Sequence, residues 1–135
     1  MYTKIFTTLP QEAKNIRIEV FMKEQGFENE FDDIDTISHH IVVFDEGKPI
    51  GTCRFFKENN HYTIGRVAVL KEYRNQHIGN LLLESAENEI KKLNGDLIVV
   101  HAQVRVSPFY EKQGYIQFGQ IDDDEGVPHM LSLIH

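Results

Sequence analysis

What most narrows the possible fold of this chain is a change of period with no linker between the two patterns. Residues 62–69 read as a strand, residues 74–93 read as a helix, and residues 97–100 are wholly apolar. Within the helical stretch, Ile78, Leu81, Leu82, Ala86, Ile90 and Leu93 share one face, and Asn94-Gly95 supplies the stop. Leu97-Ile98-Val99-Val100 lacks polar alternation, as expected of a central strand covered on both sides. A strand, a long amphipathic helix and a doubly covered strand in succession point to a sheet with helices packed on it.

The rest of the chain agrees. Residues 5–7 suit a short strand. Thr8-Leu9-Pro10-Gln11 resembles a helix start, with Gln three residues after Thr and Pro in the first turn. Ala13, Ile16, Val20 and Phe21 then mark a stripe running to about Gln25, and Gly26 ends it. Residues 40–44 and 50–56 flank the turn Asp45-Glu46-Gly47-Lys48 as a hairpin, and Asn59-Asn60 leads into a third antiparallel strand at 62–69. A short helix at 108–113 stopped by Gly114, and strands at 115–118 and 130–134, complete the order. The expectation is one α/β (α+β) domain over residues 1–135.

Charge and cysteine content limit the function. The 135 residues carry 14 Lys and Arg against 21 Asp and Glu, a net charge of −7. Such a field opposes general nucleic-acid binding and anionic membrane surfaces. Cys53 is the single cysteine, which excludes an internal disulfide and a cysteine-based zinc cage. Mid-strand and without an adjacent His, it reads as a small buried hydrophobe. No ligand spacing of the H-x-x-x-H kind occurs, so no metal is expected. With no membrane-length apolar run and no signal-peptide core before Pro10, a cytoplasmic protein is expected, as monomer or homodimer. Asp122-Asp123-Asp124-Glu125 reads as a solvated loop. Residues 24–35 hold six acids (Glu24, Glu28, Glu30, Asp32, Asp33 and Asp35) and no base, with Phe27, Phe31 and Ile34 interleaved. That stretch is either a solvated loop or a field attracting a cationic ligand.

One segment has the build of an anion cradle. Val67-Ala68-Val69 runs through a tight loop, with Lys71, into Arg74-Asn75-Gln76-His77-Ile78-Gly79-Asn80 and the long helix. The loop amides and the first unpaired helix amides converge on one place, where phosphate oxygens bind well. Arg74 adds a charged donor, and Gly79 lets a ligand approach the backbone.

Arg74-Asn75-Gln76-His77-Ile78-Gly79 resembles motif A of the GNAT N-acetyltransferases, Q/R-x-x-G-x-G/A, with His77 where that motif has glycine. Ser107-Pro108-Phe109-Tyr110-Glu111-Lys112-Gln113-Gly114-Tyr115 is similar to the family's motif B, in the right order behind it. Val20-Phe21-Met22-Lys23-Glu24-Gln25, the later His40, Gly51-Thr52 with Arg54, His101-Ala102-Gln103 and Gly126-Val127-Pro128-His129 look most like its ElaA-like branch.

The resemblance implies a mixed, mainly antiparallel central sheet flanked by helices, and acetyl-CoA as co-substrate. Its pyrophosphate would lie on Arg74, Asn75, Gln76, His77, Ile78, Gly79 and Asn80, with Lys112 nearby. Its pantetheine would pair with Val67, Ala68 and Val69, and Gln103 would touch the pantetheine or line the acceptor pocket. The acceptor would be an amine. A free alkylamine has a pKa of about 10.4, so a base is useful. His40 and His129 are the candidates, with Glu28 through water. His39, His61 and His135 show no spacing that sets them apart. Tyr110 is the candidate general acid, or else an aromatic packed beside Phe109 and Tyr115. The Val69 N–H is the candidate oxyanion donor. Rival readings are a catalytically idle acyl-CoA sensor and a sheet edge used only for assembly.

Overall fold

A computed structural model of the chain describes residues 1–28 and 30–134; His135 lies outside them. Strand β1 is Tyr2–Phe6, and helix α1, Gln11–Arg17, continues as a π-helix over Ile18–Glu24. Then come β2 (His39–Asp45), β3 (Lys48–Glu58), β4 (His61–Val69), α2 (Ile78–Lys92) and β5 (Ile98–Gln103). Helix α3 (Ser107–Lys112), β6 (Ile116–Asp124) and β7 (Val127–Ile134) follow. Among the described residues these strands form one seven-stranded sheet in the order β1-β2-β3-β4-β5-β7-β6. Every neighbouring pair is antiparallel except β4–β5, which is parallel and joined through α2. This is the expected mixed sheet. No helix among the described residues is long and apolar enough to cross a membrane.

Strand alternation sorts the core into two layers. Ile41, Val43, Ile50, Phe55 and Ile64 face α2, while Val42, Phe44 and Ala68 face the first helix through Ala13, Ile16, Val20 and Phe21. On α2 the buried face is Ile78, Leu82, Leu83, Ala86 and Ile90; of the expected face Leu81 is half-buried and Leu93 is 40% exposed, while Leu83 is buried. The helix ends in a Schellman motif, with the Gly95 N–H on the Ile90 carbonyl (2.9 Å) and the Asn94 N–H on that of Lys91 (3.0 Å). Asn94 takes the left-handed conformation (φ 65°). Gly95 is required for packing, because a Cβ there would lie 2.5 Å from Ile90 Cγ2.

Three local expectations are corrected. The Thr8–Gln11 capping box does not form: Pro10 is the N-cap, without a side-chain cap bond, and Gln11 Nε2 bonds Asn15 Oδ1 at 2.8 Å. The long helix begins at Ile78, not Arg74, because Asn75 (φ 64°) and His77 (φ 61°) are both left-handed. The acids 122–124 are not a loop. They are the end of β6, with Asp122 opposite His129 and Asp124 opposite Val127, and the turn is Glu125-Gly126.

Candidate active site

Two strands that part company create the site. β4 and β5 pair only from Tyr62–Ile98 to Ile64–Val100. Beyond that, β4 carries a bulge: Gly65 faces Arg54 and Ala68 faces Thr52, leaving Arg66 (φ 52°) and Val67 opposite Cys53. A bulge bends its strand and sharpens the twist. β5 meanwhile stays with β7 as far as Gln103–His129, so the two strands splay.

Two hollows open in the split. The larger, about 710 Å³, runs from Val67, Ala68 and Val69 along Tyr73–Asn75 and the start of α2 to Phe109, Tyr110 and Lys112. The smaller, about 110 Å³, is lined by Phe21, Phe27, Glu30, Arg66, His101, Gln103, Asp124 and His129, among others. Gln25, Val67, Arg105, Val106 and Tyr110 line both. Every residue expected at the cofactor except Gln76 and Gln103 lines the larger groove. Gln103 lines the smaller hollow, and the exposed Gln76 points its amide at the Glu72 carbonyl (3.5 Å).

The backbone at the groove is poised for polar contacts. The Leu70 N–H donates to the Ile50 carbonyl (2.9 Å). Antiparallel alternation therefore turns the N–H and C=O of its neighbour Val69 away from β3, into the groove. Arg74 Nε takes that carbonyl at 3.0 Å, and the N–H faces the groove. The first intrahelical bond of α2 is Leu81 N–H to His77 C=O, so the amides of Ile78, Gly79 and Asn80 have no intrahelical acceptor. No side chain caps them and no acid lies in the first turn. These donors, together with the open length of the groove, suit a diphosphate bearing a thin extended tail. The glycine of the family motif has a backbone reason here: position 77 is not helical but left-handed, a conformation that costs His little compared with branched residues. Gly79 serves packing as well, since a Cβ there would lie 3.3 Å from the Phe109 ring.

Tyr110 stands where the two hollows meet, 5% exposed, its ring edge-on to Phe109 (5.0 Å) and Tyr115 (5.9 Å). Burial pushes its phenol well above the ordinary value, so it keeps its proton. The packing role and the cleft-lining role therefore belong to one residue. His129 lines the smaller hollow with Nδ1 2.9 Å from the Val127 carbonyl. That bond assigns the proton to Nδ1 and leaves Nε2 as the acceptor. His101 lies beside it, ring centroids 5.1 Å apart.

His40 is not at the cleft. It is 1% exposed, with Nε2 3.0 Å from the Asp35 carbonyl, and burial pulls its pKa below the usual value against the opposing pull of Asp35. The exposed Glu28 lines neither hollow; its backbone N–H bonds the Glu125 carboxylate (2.9 Å). Cys53 is buried, its thiol pushed up to about 12 by desolvation, which leaves no nucleophilic thiolate.

The acidic stretch is corrected most. Its charge is met by arginines from elsewhere in the chain. Arg17 holds Glu30 (2.9 Å) and Asp35 (2.8 Å), Arg54 holds Asp32 (2.7 Å) and Asp35 (2.9 Å), and Arg66 holds Glu30 (3.0 Å) and Asp32 (3.4 Å). Arg74 grips Glu24 with both Nη atoms, at 2.6 and 2.7 Å. Of the six acids only Glu28 and Asp33 remain outside these pairs. Burial would raise Asp35, but the bonds from Arg17 and Arg54 hold it down to about 2. At Glu30 burial dominates and the carboxyl is raised despite Arg66 and Arg17. Arg17 and Arg54 were the readable signal: a charged residue within an apolar helix stripe or strand is stable only with a buried partner.

Known proteins share this architecture. The acetyltransferase (GNAT) domain family matches residues 7–131. The uncharacterized N-acetyltransferase YjcF of Bacillus subtilis is 32% identical over 123 residues, covering 89% of this chain and 88% of its own length. The crystal structure of Escherichia coli ElaA superposes with a TM-score of 0.89 at 20% identity over 100% of both chains. An aminoglycoside 6'-N-acetyltransferase complexed with coenzyme A superposes with a TM-score of 0.79 at 13% identity, over 99% of this chain and 96% of that one. The split sheet, the uncapped helix and these relatives agree: the chain belongs to the GNAT family of N-acetyltransferases.

Proposed function

We propose that the protein moves the acetyl group of acetyl-CoA to a primary amine, on a small molecule or a peptide, by direct attack within a ternary complex. One observation carries the reading: the groove along Val69 runs from the uncapped start of α2 to the junction with a second hollow at Tyr110. Two substrates can therefore approach from opposite ends and meet at one point. Acetyl-CoA supplies an acyl carbon activated as a thioester. Arg74 and the amides of residues 78–80 hold its diphosphate, with Lys112 beside them. The Val69 N–H steadies the carbonyl oxygen as it gains charge. His129 Nε2 accepts the amine proton as the C–N bond forms. Tyr110 gives its proton to the departing sulfur as the C–S bond breaks, and recovers one from solvent. Neutralisation of the acidic stretch removes the general field that favoured a cationic acceptor; Asp124 is the exposed acid lining the smaller hollow. Cytoplasmic residence fits the lone, unpaired Cys53.

Calorimetry with CoA, followed by thiol release across a panel of primary amines, tests the assignment. Saturable binding and amine-dependent release are expected. Binding without release on any amine favours an acyl-CoA sensor, and no binding overturns the reading altogether.

A further inference from the structure

We propose that Glu24 is an internal competitor for the diphosphate of CoA, latching the cofactor groove until the nucleotide displaces it. This rests on the CoA reading above. Arg74 lines the cofactor groove with the start of α2, and its fork is already filled. Nη1 meets Glu24 Oε2 at 2.6 Å and Nη2 meets Oε1 at 2.7 Å, while Nε is spent on the Val69 carbonyl. A bidentate carboxylate presents two anionic oxygens to a guanidinium much as a diphosphate does. α2 brings no acid of its own to its first turn, and the carboxylate on Arg74 comes from a different helix. The positive charges of Lys71 and Arg105 also act on the Glu24 carboxylate.

The latch shares a turn with a second contact. Glu24 is the last residue of the π-helix, and the next residue, Gln25, accepts from Gln103 Nε2 at 2.6 Å. Gln103 Oε1 in turn accepts from Arg105 Nε at 2.8 Å. This polar strap crosses between β5 and the π-helix where the two hollows adjoin, and Gln25 and Arg105 line both. Displacing Glu24 loosens the turn that holds Gln25.

Calorimetry on the full chain tests the latch, with CoA and with a pantetheine fragment lacking the diphosphate as probes. Glu24→Gln is expected to tighten CoA about fivefold, the worth of a partly exposed ion pair, and to leave the pantetheine fragment unchanged. Glu24→Ala should act in the same direction. In an Arg74→Ala background, Glu24→Gln should change nothing. Unchanged or weaker CoA binding in Glu24→Gln overturns the latch, as does equal tightening of the fragment or of the Arg74→Ala background. Failure of the wild type to bind CoA sinks the functional reading and the latch together, whereas wild-type binding that ignores Glu24→Gln sinks the latch alone.

Discussion

Replacing Asp35 by asparagine strikes the point where two buried arginines meet. The carboxylate accepts from Arg17 Nη1 (2.8 Å) and Nη2 (3.1 Å) and from Arg54 Nη1 (2.9 Å), and the residue is 5% exposed. Its carboxyl, held at about 2 against an ordinary 3.8, contributes about 2–3 kcal/mol at neutral pH, at about 1.4 kcal/mol per pH unit. Asparagine removes that charge and turns an amide N–H toward the guanidiniums. Breaking a buried pair costs about 3–5 kcal/mol. Glu30 and Asp32 still partner the arginines, so a loss of about 3 kcal/mol is expected. The sign with pH follows from a depressed folded-state pKa. The stabilisation is whole above about 4, the unfolded value, and fades as pH falls through it toward about 2. Glu30 works the other way: its raised carboxyl favours protonation in the folded state and softens the acid limb. Urea unfolding followed by circular dichroism, at pH steps from about 7 to about 3, gives both quantities. Wild type should lose stability steeply below about pH 4 and Asp35→Asn much less so. A neutral-pH loss under about 1 kcal/mol, or an unchanged acid limb, refutes the reasoning.

Tyr110→Phe keeps the ring against Phe109 and Tyr115 but removes the proton donor. Turnover should fall roughly 100-fold, the low end for general acid catalysis, while calorimetric affinity for CoA stays nearly the same; unaltered turnover removes Tyr110 from the chemistry. His77→Gly places at a left-handed position (φ 61°) the residue that conformation suits best. The gain should be up to about 1 kcal/mol in urea unfolding, reduced by the glycine's extra freedom when unfolded. A loss of stability instead would show that the imidazole makes a contact worth more than the strain.

The sequence by itself determined the elements whose signals are local. The 78–92 helix, its Asn94-Gly95 stop, the hairpin about Glu46-Gly47 and the loop between Val69 and the long helix each rest on neighbours a few positions apart. Periodicity and turn chemistry report such neighbours directly. The helix start was misplaced because left-handed backbone at Asn75 and His77 leaves no mark in a hydrophobic pattern. The β4 bulge at Arg66 and Val67 was invisible for the same reason, although it opens the split between the strands. Only the tertiary structure decided what the acids of 24–35 do. Their partners Arg17, Arg54, Arg66 and Arg74 come from α1, β3, β4 and the loop before α2, up to 50 positions away. The same distance kept His40 and His129 alike in the sequence, one inside that ionic cluster and the other at the cleft. Charge along a chain counts ions, but pairing depends on which strands the fold sets side by side.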